Sequence, residues 1–206
     1  MPKLWNQTIE AHRSDVRAAI LETTAALVTE RGLQSVTMSE VASAVGIGRA
    51  TLYKYFSDVG AILREWHEGR VRDHLSELST LAAAGGDARA RLEAVLTAFA
   101  SIQREHHATE LAALLHGGDH VVRAWHGLAK LVTDLLMESA RAGVVRRDVP
   151  PEEIARFCLH ALTAASSLRS EAALRRLVAL TLAGLQPATA PQTEEKPKRT
   201  HPKQTR

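Results

Sequence analysis

Residues 36–58, VTMSEVASAVGIGRATLYKYFSD, carry the strongest local signals in this 206-residue chain. Thr37 followed by Glu40 is the pattern of a capping box, in which the Thr hydroxyl accepts from the amide of Glu40 and the carboxylate accepts from the amide of Thr37. Gly46 stands where a left-handed residue would end a helix of about eight residues. The stretch therefore predicts a short helix that begins after Thr37 and ends at Gly46.

A second short helix follows after a brief connection. Only Ile47 and Gly48 separate Gly46 from the segment RATLYKYF, in which Leu52 and Phe56 lie one turn apart on the same face. Two helices joined by a three-residue turn that contains Gly have the spacing of a helix-turn-helix. We expect Ile47 to pack between the two helices.

The outward face of the second helix carries side chains that suit a nucleic acid. With the apolar pair inside, the outward residues are Arg49, Ala50, Tyr53 and Lys54. A Tyr ring packs on sugar or a thymine methyl, and Arg or Lys bonds guanine in the major groove. The alternative is an ordinary surface turn of a helical bundle. The capping box, the Gly-containing turn and the outer aromatic and basic residues together favour a DNA-binding element.

The net charge of +3 gives no independent support for DNA binding. Residues 1–186 carry 21 Lys or Arg and 21 Asp or Glu, whereas residues 187–206 carry five basic and two acidic residues. The excess positive charge lies entirely in the last 20 residues. A DNA-binding function must therefore rest on local geometry.

The rest of the chain has the apolar spacing of helices, with no alternating strand pattern. Further predicted helices cover about 14–31, 58–84, 87–106, 109–116, 120–142, 152–168 and 171–185. We expect an all-α protein of about nine helices. It comprises a three-helix DNA-binding domain at 1–58, a helical ligand-binding and dimerisation domain at 59–186, and a disordered basic tail at 187–206.

Several classes of protein and site are not supported by the sequence. No apolar run is long enough for a membrane span, and no signal peptide is apparent, so a cytoplasmic protein is expected. The single cysteine, Cys158, lies in an apolar run and is predicted to be buried and inert. No nucleophile, phosphate-loop or paired acid–base motif indicates an enzyme. The ten histidines lack metal-site spacing, so neither a metal nor another cofactor is expected.

The segment GIGRATLYKYFSD resembles the signature of TetR-family transcriptional regulators, which reads close to Gly-Val-Ser, two variable residues, Thr-Leu-Tyr, one variable residue, Tyr-Phe. The chain length, the helix that precedes the motif and the helical remainder are similar to that family as well. The resemblance implies DNA contacts by Thr37, Ser39, Arg49, Ala50, Thr51, Tyr53, Lys54 and Tyr55. Two positions depart from the family pattern: Gly48 replaces the usual Ser cap, and Val59 replaces a Lys that commonly binds phosphate.

The resemblance also implies a homodimer, because a palindromic operator needs two recognition helices about one DNA turn apart, roughly 34–36 Å. We expect the helices at about 152–168 and 171–185 to pair with those of a second copy. The apolar and small residues that they offer are Ile154, Phe157, Cys158, Ala161, Leu162, Ala165, Leu174, Leu177, Val178, Thr181, Leu182 and Leu185. The alternative is that these residues form the core of a single chain.

Between the DNA-binding and dimerisation regions, the family binds small molecules. Candidate residues for an effector pocket are Trp66, Phe99, His106, Leu114 and Trp125, because a small ligand needs an apolar wall with a few polar groups. The expected function is that of a ligand-responsive repressor. The alternative is a helix-turn-helix protein controlled by a protein partner, which the lack of a cavity within 59–145 would favour.

The tail at 187–206 has two possible roles. Its basic residues, Lys196, Lys198, Arg199, Lys203 and Arg206, would add salt-sensitive attraction to phosphates. Alternatively, it is a solvated terminus without a function. Neither the operator sequence nor the identity of the effector follows from the sequence.

Overall fold

The structure of the protein, a computed structural model, describes residues 2–106 and 119–187. These residues form eight α-helices and no strand, which confirms the predicted all-α fold. The helices are α1 (Pro2–Arg31), α2 (Met38–Val45), α3 (Arg49–Tyr55), α4 (Val59–Ala83), α5 (Ala88–His106), α6 (Asp119–Arg141), α7 (Pro151–Thr163) and α8 (Glu171–Ala183). The helix predicted at about 109–116 lies outside the described residues, as does the tail after residue 187.

The N-terminal helices enclose a small core of their own. Ile20 of α1, Val41 of α2 and Leu52 of α3 are fully buried in it, together with Ile62 and Leu63 from the first turns of α4. This core holds α2 and α3 against α1, and it anchors α4 at the same time.

A second, larger core fills the space among α4 to α8. Leu78 of α4, Leu96 of α5, Leu136 of α6 and Leu162 of α7 are almost completely buried there, and α8 adds Leu174. Since α4 contributes to both cores, it is the element that joins the two parts of the molecule. The domain boundary at residues 58 and 59 stays a prediction.

Local sequence signals set most of the helix ends. Asp58 caps α4, because its carboxylate accepts a hydrogen bond from the amide of Ala61 at 2.7 Å. Ser170 caps α8 in the same way through the amide of Ala173. Gly143, with φ of +77°, follows the end of α6 as predicted.

Two helices differ in length from the prediction. The first begins at Pro2 rather than near residue 14, and its residues 10–15 are all exposed, so they carry no apolar periodicity to reveal a helix. The seventh ends at Thr163 rather than near residue 168, because the chain tightens there into a 3-10 helix, Ala164–Ser167.

Cys158 is fully buried in the larger core, as predicted. Burial raises the pKa of its thiol to about 12, so the thiolate that would react is not formed near neutral pH. Within the described ranges, no helix combines the length and the apolar character needed to cross a membrane.

Candidate nucleic-acid interface and internal cavity

The start of α2 contains the predicted capping box. The amide of Glu40 donates to Oγ1 of Thr37 at 3.3 Å, and the amide of Thr37 donates to Oε2 of Glu40 at 2.8 Å. These hydrogen bonds lower the pKa of the Glu40 carboxyl. Both Thr37 and Ser39 are exposed, so the side of α2 that begins the motif is accessible to a partner.

The turn between α2 and α3 is as short as the sequence predicts. Gly46 adopts the left-handed conformation with φ of +78°, which a residue with a side chain rarely adopts. The amide of Ile47 then donates to the carbonyl of Ala42 at 3.0 Å, and the Ile47 side chain packs half-buried against the N-terminal core. Gly48 begins α3 without a side-chain cap. The turn thus fixes α3 relative to α2 mainly by backbone geometry.

The third helix has one buried face and one exposed face. Leu52 and its neighbour one turn later, Phe56, are buried as predicted. On the exposed face lie Arg49, Ala50, Thr51, Tyr53 and Lys54. Half of the Tyr53 surface, 50%, is exposed even though tyrosine is a large, partly apolar residue. The exposed face of α3 is therefore available to a partner.

Tyr55 differs from the other residues predicted to contact DNA. Its side chain is half-buried and packs against the N-terminal core. Tyr53 and Tyr55 are two positions apart in the helix, so their side chains lie about 200° apart around its axis and point to opposite sides. The structure thus separates two tyrosines to which the sequence resemblance gave the same role.

Arg17 of α1 holds the end of α3 in place, a contact that the sequence analysis did not identify. Its guanidinium lies 4.7 Å from the centre of the Phe56 ring and forms a two-pronged ion pair with Glu65 of α4. The hydrogen bond to Glu65 raises the pKa of Arg17. One side chain thereby connects three parts of the fold: α1 itself, Phe56 just after α3, and Glu65 of α4.

The start of α4 combines a capping residue, Asp58, with an apolar first residue, Val59. Ser57 donates to Asp58 at 2.8 Å, and this bond and the amide of Ala61 lower the pKa of the Asp58 carboxyl. Val59, which stands where the family often has Lys, is half-buried against the N-terminal core. Its side chain therefore contributes to packing.

A cavity of about 110 Å³ lies among α4, α5 and α6. Its polar lining residues are His67, His74 and Gln103. Its apolar lining residues are Val71, Leu75, Leu78, Phe99, Ile102, Val121, Ala124, Trp125 and Leu128. The rings of Phe99 and Trp125 meet edge to face with centroids 6.2 Å apart, and they form an aromatic wall.

The five residues predicted to line a pocket are placed differently from one another. Phe99 and Trp125 line the cavity. Trp66 does not: it packs against the N-terminal core, and its Nε1 donates to Glu22 of α1 at 3.2 Å. Leu114 and the side chain of His106 lie outside the part of the chain that the structure describes. Trp66 was chosen for its size and apolar character, which do not reveal the direction of a side chain on a helix.

A pair of histidines at the edge of the cavity was not predicted as such. Nδ1 of His67 and Nε2 of His120 are 2.8 Å apart and share a hydrogen bond, and Nδ1 of His120 lies 3.7 Å from Oε1 of Glu68. His67 is buried. In the described ranges, no group of three or more His, Cys, Asp or Glu residues is arranged to hold a metal.

The expected dimer helices, α7 and α8, place most of their apolar residues inside the chain itself. The residues of the predicted set that are buried in this core are Ile154, Cys158, Leu162, Ala165, Leu174, Val178, Thr181, Leu182 and Leu185. These nine residues pack against their own chain, so a second copy would contact α7 and α8 through other residues; the pairing of these helices with a second copy stays a prediction.

A different apolar surface remains exposed on the same two helices. Phe157 is 53% exposed and Leu180, which the sequence analysis did not select, is 72% exposed. The Phe157 ring lies beside Gly184, where an added Cβ would be 3.8 Å from Cε1 of Phe157. Leu177 is half-buried nearby on α8. We call Phe157, Leu177 and Leu180 the α7–α8 apolar face.

Comparisons with known proteins agree with this geometry. Residues 20–65, which run from α1 through the helix-turn-helix into α4, match the family model for bacterial regulatory proteins of the tetR family. Over 100 residues the chain is 33% identical to the HTH-type transcriptional repressor KstR2 of Rhodococcus jostii, an alignment that spans 48% of this chain and 49% of that protein. The match thus covers about half the length of this curated relative.

Solved structures share the fold over a longer part of the chain. A transcriptional regulator of the TetR/AcrR family from Thermobifida fusca superposes with a TM-score of 0.71, at 18% identity, over 82% of this chain and 98% of that one. The regulator FadR from Bacillus subtilis, solved in complex with stearoyl-CoA, gives a TM-score of 0.65 at 14% identity, over 82% and 99% of the two chains. At these identities the likeness establishes the fold alone.

Proposed function

We propose that this chain, whose residues 20–65 match the tetR family of bacterial regulatory proteins, is a regulator of that family that represses transcription by binding a palindromic operator as a homodimer. Regulators of this family are DNA-binding transcription factors rather than enzymes. The observation that carries the proposal is the exposed face of α3, where Arg49, Tyr53 and Lys54 project from a helix whose opposite face is buried.

The chemistry of that face suits the major groove. Arg49 would pair with a guanine edge, Tyr53 would pack on a sugar or a thymine methyl, and Lys54 would bind phosphate. A good bidentate base contact contributes about 1–3 kcal/mol of discrimination between bases. Arg17 and the turn at Gly46 hold α3 in a fixed orientation, so little ordering of this helix would be needed on binding.

A homodimer would supply the second recognition helix. The α7–α8 apolar face supports this part of the proposal, because exposed Phe157 and Leu180 lie close to each other on two helices that otherwise pack inward. Covering this surface with the same surface of a second copy gives a twofold arrangement, which matches the symmetry of a palindrome.

Release from DNA would be driven by a small molecule in the cavity among α4, α5 and α6. The presence of this cavity favours an effector over control by a protein partner alone. A tenfold change in operator affinity requires only about 1.4 kcal/mol of differential binding between two conformations of the dimer.

Four consecutive residues of α4 provide a route between the cavity and the recognition helix. Glu65 and Trp66 contact α1 through Arg17 and Glu22, whereas the next two residues, His67 and Glu68, contact His120 of α6. A shift of α4 at the cavity would therefore act directly on the contacts that orient the DNA-binding helices. Trp66 takes part in this route from the α1 side.

The experiment is a selection of DNA fragments by the full chain. We expect enrichment of an inverted repeat whose half-sites are centred about one helical turn apart, with two copies of the chain bound per site. Addition of single compounds from a small-molecule panel should then release the selected fragment. Failure to enrich any sequence would refute the operator-binding proposal, and an enriched site without symmetry would refute the homodimer.

A further inference from the structure

The α7–α8 apolar face carries one charged residue on each of its helices. On α7, Glu153 comes four residues before Phe157, and on α8, Arg176 comes four residues before Leu180. Side chains four positions apart lie about 40° from each other around a helix, so each charge shares a side of its helix with the exposed apolar residue. All four residues are exposed. Both helices therefore present a charge followed one turn later by an apolar side chain, with opposite signs of charge.

The two charges lie at opposite ends of this face. Helices α7 and α8 are antiparallel, since Phe157 in the middle of α7 lies beside Gly184, the residue that follows α8. Glu153 is about one turn from that level in one direction, and Arg176 is about two turns from it in the other. At a rise of 1.5 Å per residue, the two positions are about 18 Å apart along the helices. Glu153 and Arg176 of one chain are therefore too far apart to pair with each other.

Neither charge has an ionic partner within the chain as the structure describes it. The ion pairs of residues 2–106 and 119–187 include neither Glu153 nor Arg176. Arg146, which bonds the backbone at the end of α8, is paired with Asp148. Arg156 is exposed but lies about 100° around α7 from the apolar side chain of that helix. The face is thus left with an acidic residue at one end and a basic residue at the other.

A twofold axis through the middle of the face would bring these charges together across an interface between two copies. In such an interface the same surface faces itself, so every contact between two different residues occurs twice. With the axis directed so that the two ends of the face exchange, Glu153 of each copy meets Arg176 of the other. An axis parallel to the helices would instead leave Glu153 opposite the end of α8 at Gly184. The exchange of ends is the arrangement that satisfies both charges and covers the apolar residues between them.

We propose that Glu153 and Arg176 select a second copy of this chain as the partner of the α7–α8 apolar face, by forming two equivalent ion pairs across the twofold axis. Charges at the rim of an interface add little affinity, but they exclude partners with unmatched charges, because like charges in contact are strongly unfavourable. The proposal rests on the proposed homodimer for the use of this face. It adds the residues that set the register of the two copies and the choice of partner.

The neighbouring residues provide matched controls. Glu152 and Arg175 are exposed and carry the same charges one position earlier, but they lie about 140° around their helices from Phe157 and Leu180. Glu152 and Glu153 both belong to the first turn of α7, so replacing either with Lys has a comparable effect on the helix dipole. A difference between variants at adjacent positions therefore reports on the interface rather than on the helix.

Exchange of charge between two variants tests the pairing in the absence of DNA. Glu153→Lys alone places two cations in each contact, and Arg176→Glu alone places two carboxylates there, so each variant should dimerise about tenfold or more weakly than the wild type. An equimolar mixture of the two variants restores both ion pairs and should form a heterodimer with about the wild-type affinity. The chain with both substitutions should recover the homodimer. Glu152→Lys and Arg175→Glu should dimerise like the wild type.

Sedimentation velocity over a range of protein concentrations measures each dissociation constant at low salt, and a fluorescent label on one variant identifies the heterodimer. Circular dichroism establishes that each variant is folded. Glu153→Gln and Arg176→Gln replace a variant that does not fold, and each should weaken the dimer about two- to tenfold through the loss of two ion pairs.

Three results with a dimeric wild type would overturn the inference. They are variants at 153 and 176 that dimerise like the wild type, weakened variants that neither mixing nor the double substitution rescues, and an equal weakening by the controls at 152 and 175. Each would leave the proposed homodimer in place with a different register. A wild-type chain that stays monomeric would contradict the homodimer as well, whereas enrichment of DNA fragments tests operator binding separately.

Discussion

Lys54 lies on the exposed face of α3, one residue after Tyr53, and its side chain has no acidic partner among the ion pairs of the described residues. Replacing it with Ala should weaken binding to operator and to unrelated duplexes alike, because a phosphate contact carries no base specificity. The slope of log affinity against log salt concentration should become shallower by about 0.9 for each copy of the chain.

Fluorescence anisotropy at several salt concentrations measures this slope. Lys130→Ala is the control, since Lys130 is also exposed but lies on α6 and pairs with Asp134. A Lys54→Ala slope equal to that of the wild type would show that Lys54 binds no phosphate.

Asp58 links local electrostatics to the stability of α4, the helix that follows the recognition helix. Its pKa is lowered from 3.8 by hydrogen bonds from Ser57 and Ala61, so its carboxylate stabilises the folded state above about pH 4 and loses that contribution as the pH falls through the lowered value. Asp58→Asn should therefore lose less free energy of unfolding than the wild type on acidification.

Urea unfolding at intervals between about pH 3 and pH 6 tests this expectation. Asp15→Asn, a change at an exposed position within α1, serves as the control. An acid dependence in Asp58→Asn that equals the wild-type dependence would contradict the proposed role of the cap.

At the scale of elements, α4 is predicted to transmit the state of the cavity to α3. His120→Ala removes the contact of α6 with His67 and should lower operator affinity about five- to tenfold, since roughly 1 kcal/mol is lost with one hydrogen bond. His126→Ala is the matched control, because His126 is a histidine on the same helix and is exposed.

Anisotropy titration of the selected operator measures both variants, and denaturation curves establish that each is folded. Unchanged operator affinity in His120→Ala, or an equal decrease in His126→Ala, would show that the His67–His120 contact does not transmit the state of the cavity through α4.

The elements that the sequence predicts well are those fixed by neighbouring residues. The capping box at Thr37 and the left-handed Gly46 depend on contacts within a few positions, so their patterns can be read directly. The Arg17–Glu65 ion pair and the His67–His120 pair join residues 48 and 53 positions apart. No local pattern encodes such contacts, because they depend on how the helices pack.

Trp66 and the two tyrosines illustrate the same limit within a helix. Helical spacing predicts that Leu52 and Phe56 share a buried face, and the structure confirms this. Helical spacing does not reveal that Trp66 packs toward α1 and His67 toward the cavity. Trp66 is half-buried and His67 is buried, and the two side chains differ in the elements that they contact.

For the whole molecule, the exposed α7–α8 apolar face leads to a prediction about dimerisation. Leu180→Glu places a charge in the α7–α8 apolar face and should weaken dimerisation by about 3 kcal/mol or more, because the carboxylate would be buried without a partner. Operator binding should fall with it, since the second recognition helix is lost.

Sedimentation velocity measures the association state over a range of protein concentrations. Val122→Glu is the control, because Val122 is similarly exposed, at 53%, but lies on α6. A Leu180→Glu variant that remains as dimeric as the wild type would place the interface elsewhere.

The sequence pattern selected the helices of this surface and two of its residues, Phe157 and Leu177, but it did not select Leu180 or separate these residues from the buried ones. Apolar residues recur on α7 and α8 whether they pack against their own chain or a second copy, so periodicity cannot distinguish the two. Leu162 and Leu174 are buried within the chain, whereas Leu180 is exposed. Only the packing of α7 and α8 against α5 and α6 separates these sets.

The most direct test of the account measures the affinity of the selected operator relative to a scrambled duplex of the same length. Arg49→Ala and Tyr53→Ala should each reduce this ratio by about 1–3 kcal/mol, roughly five- to 150-fold, while the variants remain folded and dimeric. If both variants keep the wild-type ratio, the exposed face of α3 does not read DNA, and the central claim is contradicted.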